Sequence, residues 1–124
     1  MMNKYAQTTL KAKRNYKENY SILESYERAA KEFFTTKSPQ EKGCPKGTFL
    51  GLCETGLVRG IPKGNYTKSV KNKEYALKAV EILKQHKHKN ITPKELWLAL
   101  DLGDKRSNSQ MDVVLALWEN DLII

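Results

Sequence analysis

Apolar residues recur three or four positions apart along most of the chain, which is the spacing of helices that bury one face. The clearest case is residues 72–85, where Ala76, Ala79, Val80 and Leu83 fall on one side of a helix. Alternating patterns typical of strands are rarer. The spacing predicts six helices, over residues 3–14, 21–34, 45–55, 72–85, 92–102 and 108–120.

Four segments match the capping box, in which a serine or threonine and a glutamate or glutamine three residues later satisfy free amides at a helix start. They begin at Ser21, Ser38, Thr92 and Ser107. Because Gly43 follows Ser38 closely, we expect the helix that begins there to end or be interrupted at this glycine.

Six of the seven glycines lie between residues 43 and 64. Gly56 fits the left-handed position after a helix end, and residues 62–65 (PKGN) are typical of a turn. Residues 57–66 have two interpretations, a small β-hairpin and a loop packed on the core. The sequence thus predicts a mainly α fold of five or six helices in one compact domain, residues 1–124.

The chain has 124 residues, 40% of them hydrophobic, which is sufficient for a single core. No apolar run approaches the ~20 residues that span a bilayer, and the N-terminal residues are too polar for a signal peptide. Two cysteines make no disulfide framework, in keeping with a reducing compartment. We expect a cytoplasmic protein with no membrane partner.

The formal net charge is +8, and the central residues 38–73 hold seven basic and two acidic residues. A surface of this sign attracts phosphate-rich partners such as DNA or RNA. The alternative is a solvated lysine-rich surface with no partner. The candidate nucleic-acid-binding residues are Lys46, Arg59, Lys63, Lys68, Lys71 and Lys73.

Two segments resemble helix-turn-helix units, whose second helix presents its first residues to DNA. In residues 91–124, basic residues such as Lys105 and Arg106 precede the second helix, but acidic neighbours favour plain packing. In residues 47–67, a short helix and an extended turn are similar to a helix with a small wing, and a packed loop is the competing interpretation. Tyr16 and Tyr20 also lie among basic residues, where they could stack on bases or be half-buried.

Catalytic signatures are missing from this pattern, because the glycines match neither a P-loop nor a dinucleotide-binding fingerprint. Cys44, Cys53, His86 and His88 are zinc-binding residue types. A helix over 45–55 would separate the two thiols by about 13 Å, however, which is too far for one ion. We expect no metal and no cofactor.

Cys44 is the candidate nucleophile, since a helix start and a following Lys46 would both stabilise a thiolate. No histidine is near it in the sequence, and a cysteine that fills an apolar pocket is the alternative. The sequence favours this structural role, and therefore a protein that is not an enzyme.

Residues 43–72, together with NSQMDVVLALW at 108–118, resemble a family of small bacterial proteins of unknown function. The family signature is KGCPKG(A/T)FLGLCE-GLV-GIPKGNYT, and the N-terminal part of the chain matches poorly. The resemblance implies no activity and supplies no catalytic residues.

The leading hypothesis is a non-enzymatic domain that associates with nucleic acid, or regulates through such binding, by means of the six basic residues. The alternative is a protein-interaction module that uses the glycine-rich residues 43–66 as a docking surface. A thiol-dependent enzyme at Cys44 is the third hypothesis.

Overall fold

The computed structural model describes residues 2–16, 21–86 and 90–124. Over these residues the chain is mainly helical, as the sequence predicts. Six helices of seven or more residues and one single-turn helix, α3, are present in the described part. In chain order they are α1 (Lys4–Asn15), α2 (Ile22–Phe33), α3 (Lys37–Gln40), α4 (Gly43–Glu54), α5 (Val70–Gln85), α6 (Pro93–Ala99) and α7 (Gln110–Glu119).

The hydrophobic core is centred on α4 and α7, the two most completely buried helices. Phe49 and Leu52 of α4 and Met111 and Leu117 of α7 are fully buried. The ring of Tyr26 from α2 stacks on Phe49, with 5.9 Å between the ring centroids. These two helices therefore serve as the surface against which α1, α2, α5 and α6 pack.

Side-chain caps fix the starts of three helices. Asn3 accepts a hydrogen bond from the amide of Ala6 (2.9 Å), and Ser21 accepts one from the amide of Glu24 (3.1 Å). At α6, Thr92 and Glu95 form the complete capping box, with hydrogen bonds of 3.1 and 2.9 Å. The helix starts predicted at Ser21 and Thr92 are confirmed.

The other two predicted capping boxes are wrong. The turn α3 already begins at Lys37, and the amide of Glu41 closes it on the carbonyls of Lys37 and Ser38, so Ser38 lies inside the turn. Helix α7 begins at Gln110, after Ser109 has adopted a left-handed conformation with φ 66°. The matching residues are present, but the backbone does not enter a helix at either serine.

The buried faces follow the predicted spacing closely in α5, where Ala76, Ala79, Val80 and Leu83 are all buried. In α2, by contrast, Leu23 is 39% exposed, although it follows a buried isoleucine. Ile22 takes the buried position beside it, and consecutive helical residues point about 100° apart.

The glycine spacing of four residues creates a stripe along α4 that lets α5 approach very closely. A β-carbon at position 47 would lie 2.8 Å from the Cβ of Ser69, and one at position 51 would lie 2.8 Å from the Cβ of Lys73. The second contact lies four residues after the first on both helices, so α4 and α5 are parallel neighbours. Their N-termini are therefore at the same end of the molecule.

Residues 57–66 form no β-hairpin in the described structure. Val58 instead makes an isolated antiparallel bridge with Ile123, supported by the hydrogen bond from the amide of Arg59 to the carbonyl of Leu122 (2.8 Å). The hydrogen-bonded turn is at residues 58–61, and not at the predicted residues 62–65. Gly56 is left-handed with φ 81°, as predicted.

We expect Gly51→Ala to destabilise the protein by about 1–2 kcal/mol, because overpacking against α5 outweighs the better helix propensity of alanine. The backbone Cα of Lys73 would be only 3.0 Å from the new methyl group, so a side-chain movement alone cannot relieve the contact. Urea unfolding measures the change in the free energy of unfolding.

Gly43→Ala is the matched control, since no heavy atom among the described residues lies within 4 Å of a β-carbon there. Its expected effect ranges from neutral to about 1 kcal/mol of stabilisation. Equal effects of the two substitutions would contradict the close contact between α4 and α5.

Candidate anion-binding site

Residues 62–69, which we call the connector, run back along α4 from its C-terminal end to the start of α5. Glu54 fixes the connector by its carboxylate: Oε1 accepts hydrogen bonds from the amides of Tyr66 (2.9 Å) and Thr67 (3.1 Å). The other oxygen, Oε2, accepts one from Lys73 Nζ at 2.6 Å. Because the Glu54 side chain is only 9% exposed, water competes weakly for these bonds.

The hydrogen bond from Lys73 and those from the two amides lower the pKa of Glu54 from its ordinary value of 4.5. The unfolded chain therefore binds this proton more readily than the folded protein does. The stabilisation that Glu54 provides is complete above pH 4.5 and is lost as the pH falls through the lowered pKa of the folded state.

The ends of α4 and α5 and the connector border a cleft of about 590 Å³, which we call the α4–α5 cleft. Lys42 and Lys46 come from the start of α4, and Lys68 comes from the connector. Tyr66 and Leu23 supply an aromatic and an apolar wall, and Glu41 is the acidic residue at this site. The remaining lining residues are Gly43, Cys44, Gly47, Leu50, Thr67, Ser69 and Asn72.

The first turns of both helices contribute to this cleft, and neither contains an acidic residue. The N-cap residues Lys42 and Ser69 make no side-chain hydrogen bond to the amides of their helices, while the amide of Ser69 itself donates to Thr67 Oγ1 at 3.1 Å. A helix N-terminus carries a partial positive charge, and parallel neighbours place two such charges together. The electrostatic character of the cleft is therefore positive from both backbone and side chains.

Two smaller hollows continue the cleft along the connector. Lys68, Thr67 and Ser69 also line a hollow of about 230 Å³, which Lys73 and the acidic residues Glu54 and Glu74 line as well. Lys73 and Glu54 also line a third hollow, of about 530 Å³, together with Lys63. Four of the six predicted basic residues thus follow one continuous band, which we call the lysine band: Lys46, Lys68, Lys73 and Lys63.

The other two predicted residues, Arg59 and Lys71, lie outside these hollows. Arg59 donates to the carbonyl of Asp121 (3.0 Å) and forms an ion pair with its carboxylate at 3.7 Å. Lys71 is exposed in the first turn of α5, near Lys105.

Two members of the lysine band also have acidic neighbours in the described structure. Lys46 pairs with Glu27 at 3.8 Å, and Lys73 pairs with Glu54. Lys63 and Lys68 are exposed. These two lysines are therefore the most available cations of the band.

Neither predicted helix-turn-helix unit presents a helix to DNA. Seven of the ten residues of α7 are buried, including Gln110 and Met111 at its start. Lys105, which precedes this helix, donates to the hydroxyl of Tyr75 at 2.8 Å. In the central unit, α4 is covered by α5 and the described residues after it form no wing. Packing, the competing interpretation for both units, is what the structure shows.

Cys44 lies within the first turn of α4, and not before it as predicted, and it is partly exposed in the α4–α5 cleft. Cys53 is fully buried, and burial raises the pKa of its thiol. No group of three or more His, Cys, Asp or Glu side chains among the described residues is placed to hold a metal ion. His88 and Tyr20 lie outside the described residues, and Tyr16 is half-buried against the core.

Lys42 and Tyr66 also line the cleft, although the sequence patterns do not indicate either residue. Lys42 was overlooked because α4 was predicted to begin at residue 45. The spacing of Gly43, Gly47 and Gly51 by four residues was an available signal for a longer helix. The position of Tyr66 depends on Glu54, a contact between distant residues that no local pattern shows.

The fold is thus a mainly helical domain with a positively charged cleft at one end of two parallel helices. The chain belongs to a family of unknown function, DUF6979, whose family model matches residues 2–124. The predicted resemblance to a family of this kind is confirmed. No curated protein and no solved structure matches the chain. Within the described residues, no helix has both the length and the apolar character to cross a membrane.

We expect Glu54→Gln to destabilise the protein at neutral pH by about 1.5–3 kcal/mol, the range for a hydrogen bond to a charged group. Glutamine keeps an oxygen for the two connector amides but places an amide donor opposite Lys73. Unfolding by urea at a series of pH values is also expected to show a smaller loss of stability below pH 4.5.

Glu81→Gln serves as the control, because Glu81 is an exposed residue of α5. If Glu81→Gln reduced stability and its acid dependence as much as Glu54→Gln does, the carboxylate of Glu54 would not be what fixes the connector.

Proposed function

We propose that this protein binds nucleic acid through the lysine band, by contacts to backbone phosphates. The observation that supports this proposal best is the continuity of the band: the α4–α5 cleft and two adjoining hollows share lining residues, and Lys46, Lys68, Lys73 and Lys63 are among those that line them. A line of cations with shallow recesses suits a chain of phosphates.

The charge distribution of the chain supports the same function. Its formal net charge is +8, and the free amides at two parallel helix starts add positive potential at the cleft. Association with a polyanion would release counterions, so the affinity would fall as salt is added. This dependence separates the proposal from docking to an uncharged protein surface.

The alternative, a protein-interaction module that docks through residues 43–66, has less structural support. Gly47 and Gly51 are buried against α5, which explains their occurrence without a partner. The thiol-dependent enzyme has less support too, because none of the described residues that line the cleft with Cys44 is a histidine.

We expect the protein to bind a short nucleic acid with an affinity that falls linearly with salt on a log–log plot. Lys63→Gln with Lys68→Gln is expected to reduce the magnitude of that slope by roughly 1–2, since each lost phosphate contact contributes about 0.7–0.9. Fluorescence anisotropy with a labelled oligonucleotide at several salt concentrations measures this.

Lys4→Gln with Lys94→Gln is the matched control: both lysines are exposed on helices that do not border the lysine band. This variant is expected to bind almost as the original protein does. Absence of binding at low salt, or equal slopes for the two double variants, would contradict the proposed function.

A further inference from the structure

The α4–α5 cleft differs in composition from the other two hollows of the lysine band. Its lining combines an aromatic residue, Tyr66, and an apolar residue, Leu23, with three lysines. From this we infer that the cleft receives one nucleotide unit, with its phosphate near Lys68 and its base against Tyr66, and that the protein prefers single strands to duplexes. This inference rests on the proposed function and specifies its ligand.

The ring of Tyr66 is fixed in place before any ligand arrives. Its hydroxyl donates a hydrogen bond to the carbonyl of Pro62, and its amide donates to Glu54. The hydroxyl end of the ring also lies against Gly64, where a β-carbon would be 2.9 Å from Tyr66 Cζ and Oη. A base that stacks on this ring would find it already ordered, so little conformational entropy is lost on binding.

The volume of the cleft, about 590 Å³, lies within the range of roughly 300–1,000 Å³ that is typical of small-ligand sites. The exposed Lys68 is the cation most available to a phosphate there, because Lys46 Nζ pairs with Glu27 and Lys42 Nζ lies 5.4 Å from the ring centroid of Tyr5. Ser69 and Thr67 carry hydroxyl groups in the same lining. The carboxylate of Glu41, which also lines the cleft, would repel a ligand with negative charge along its whole length. A nucleotide, with one charged and one flat apolar end, matches this division.

A duplex cannot use such a recess without opening. Its bases are stacked inside, and bringing one out costs a few kcal/mol. Helix α7, the second helix of the C-terminal helix-turn-helix candidate, is also too buried to enter a groove. Electrostatics alone would favour the duplex, which has the higher charge density. Tighter binding of single strands would therefore indicate that a base enters the cleft, because charge alone predicts tighter binding of the duplex.

The test compares a short oligothymidine with a duplex of the same length, at one salt concentration, by fluorescence anisotropy. We expect the single strand to bind about tenfold more tightly or better, from stacking of one base. Equal affinities, or tighter binding of the duplex, would overturn the inference while leaving the proposed function intact. If neither ligand binds at low salt, the proposed function itself fails.

Tyr66→Leu and Tyr66→Phe separate stacking from packing. Leucine keeps an apolar side chain without a ring and is expected to remove most of the single-strand preference, roughly a tenfold effect. Phenylalanine keeps the ring and is expected to preserve the preference despite losing the bond to Pro62. Thermal unfolding of each variant confirms that it is folded. Loss of preference in neither variant would exclude stacking on Tyr66.

Cys44 provides an independent measure of occupancy, because it is partly exposed within the cleft whereas Cys53 is fully buried. Alkylation by iodoacetamide in the folded protein therefore reports on Cys44. Thymidine monophosphate and oligothymidine are both expected to slow the reaction in proportion to occupancy. Comparing the protection by the two ligands distinguishes binding of a free nucleotide from binding of a nucleic acid.

Inorganic phosphate is the control for the alkylation experiment. Protection by phosphate equal to that by the nucleotide would show that the base contributes nothing, and would overturn the inference. Unprotected Cys44 in the presence of bound oligothymidine would do the same, since the ligand would then lie elsewhere on the lysine band.

Discussion

The close parallel contact between α4 and α5 is the constraint on which the other features of this structure depend. Gly47 and Gly51 remove the side chains that would separate the two helices, and Ser69 and Lys73 occupy the space. Parallel neighbours place both positive helix ends together, which is electrostatically unfavourable without a compensating anion or solvent. The packing that brings the helices together thus also creates the positive cleft.

A second consequence of this parallel arrangement is the connector. The chain leaves α4 at one end and must return along its length before α5 can begin. Glu54, the last residue of α4, fixes the returning segment through two backbone amides and binds Lys73 of the next helix. One carboxylate therefore joins three successive parts of the chain, and the positions of Tyr66 and Lys68 at the cleft follow from it.

Local signals predicted the helices well and the site only in part. Thr92 and Ser21 were found because a cap and its helix are adjacent in sequence. The boxes at Ser38 and Ser107 failed because the motif does not determine where the backbone becomes helical. Among the basic residues, the partners of Arg59 and Lys46 come from segments distant in sequence, which composition cannot reveal. The glycine stripe was visible as a spacing of four, but its partner helix was not.

The attachment of the connector to Glu54 has a thermodynamic consequence. The same residues, Tyr66 and Thr67, are anchored by this carboxylate and border the cleft. If a ligand binds only when the connector is ordered, its binding must also stabilise the ordered connector. The two effects are reciprocal and equal in size. The backbone amide hydrogens of Tyr66 and Thr67 would then exchange with solvent more slowly when a ligand occupies the cleft, and their exchange rates would report ligand binding.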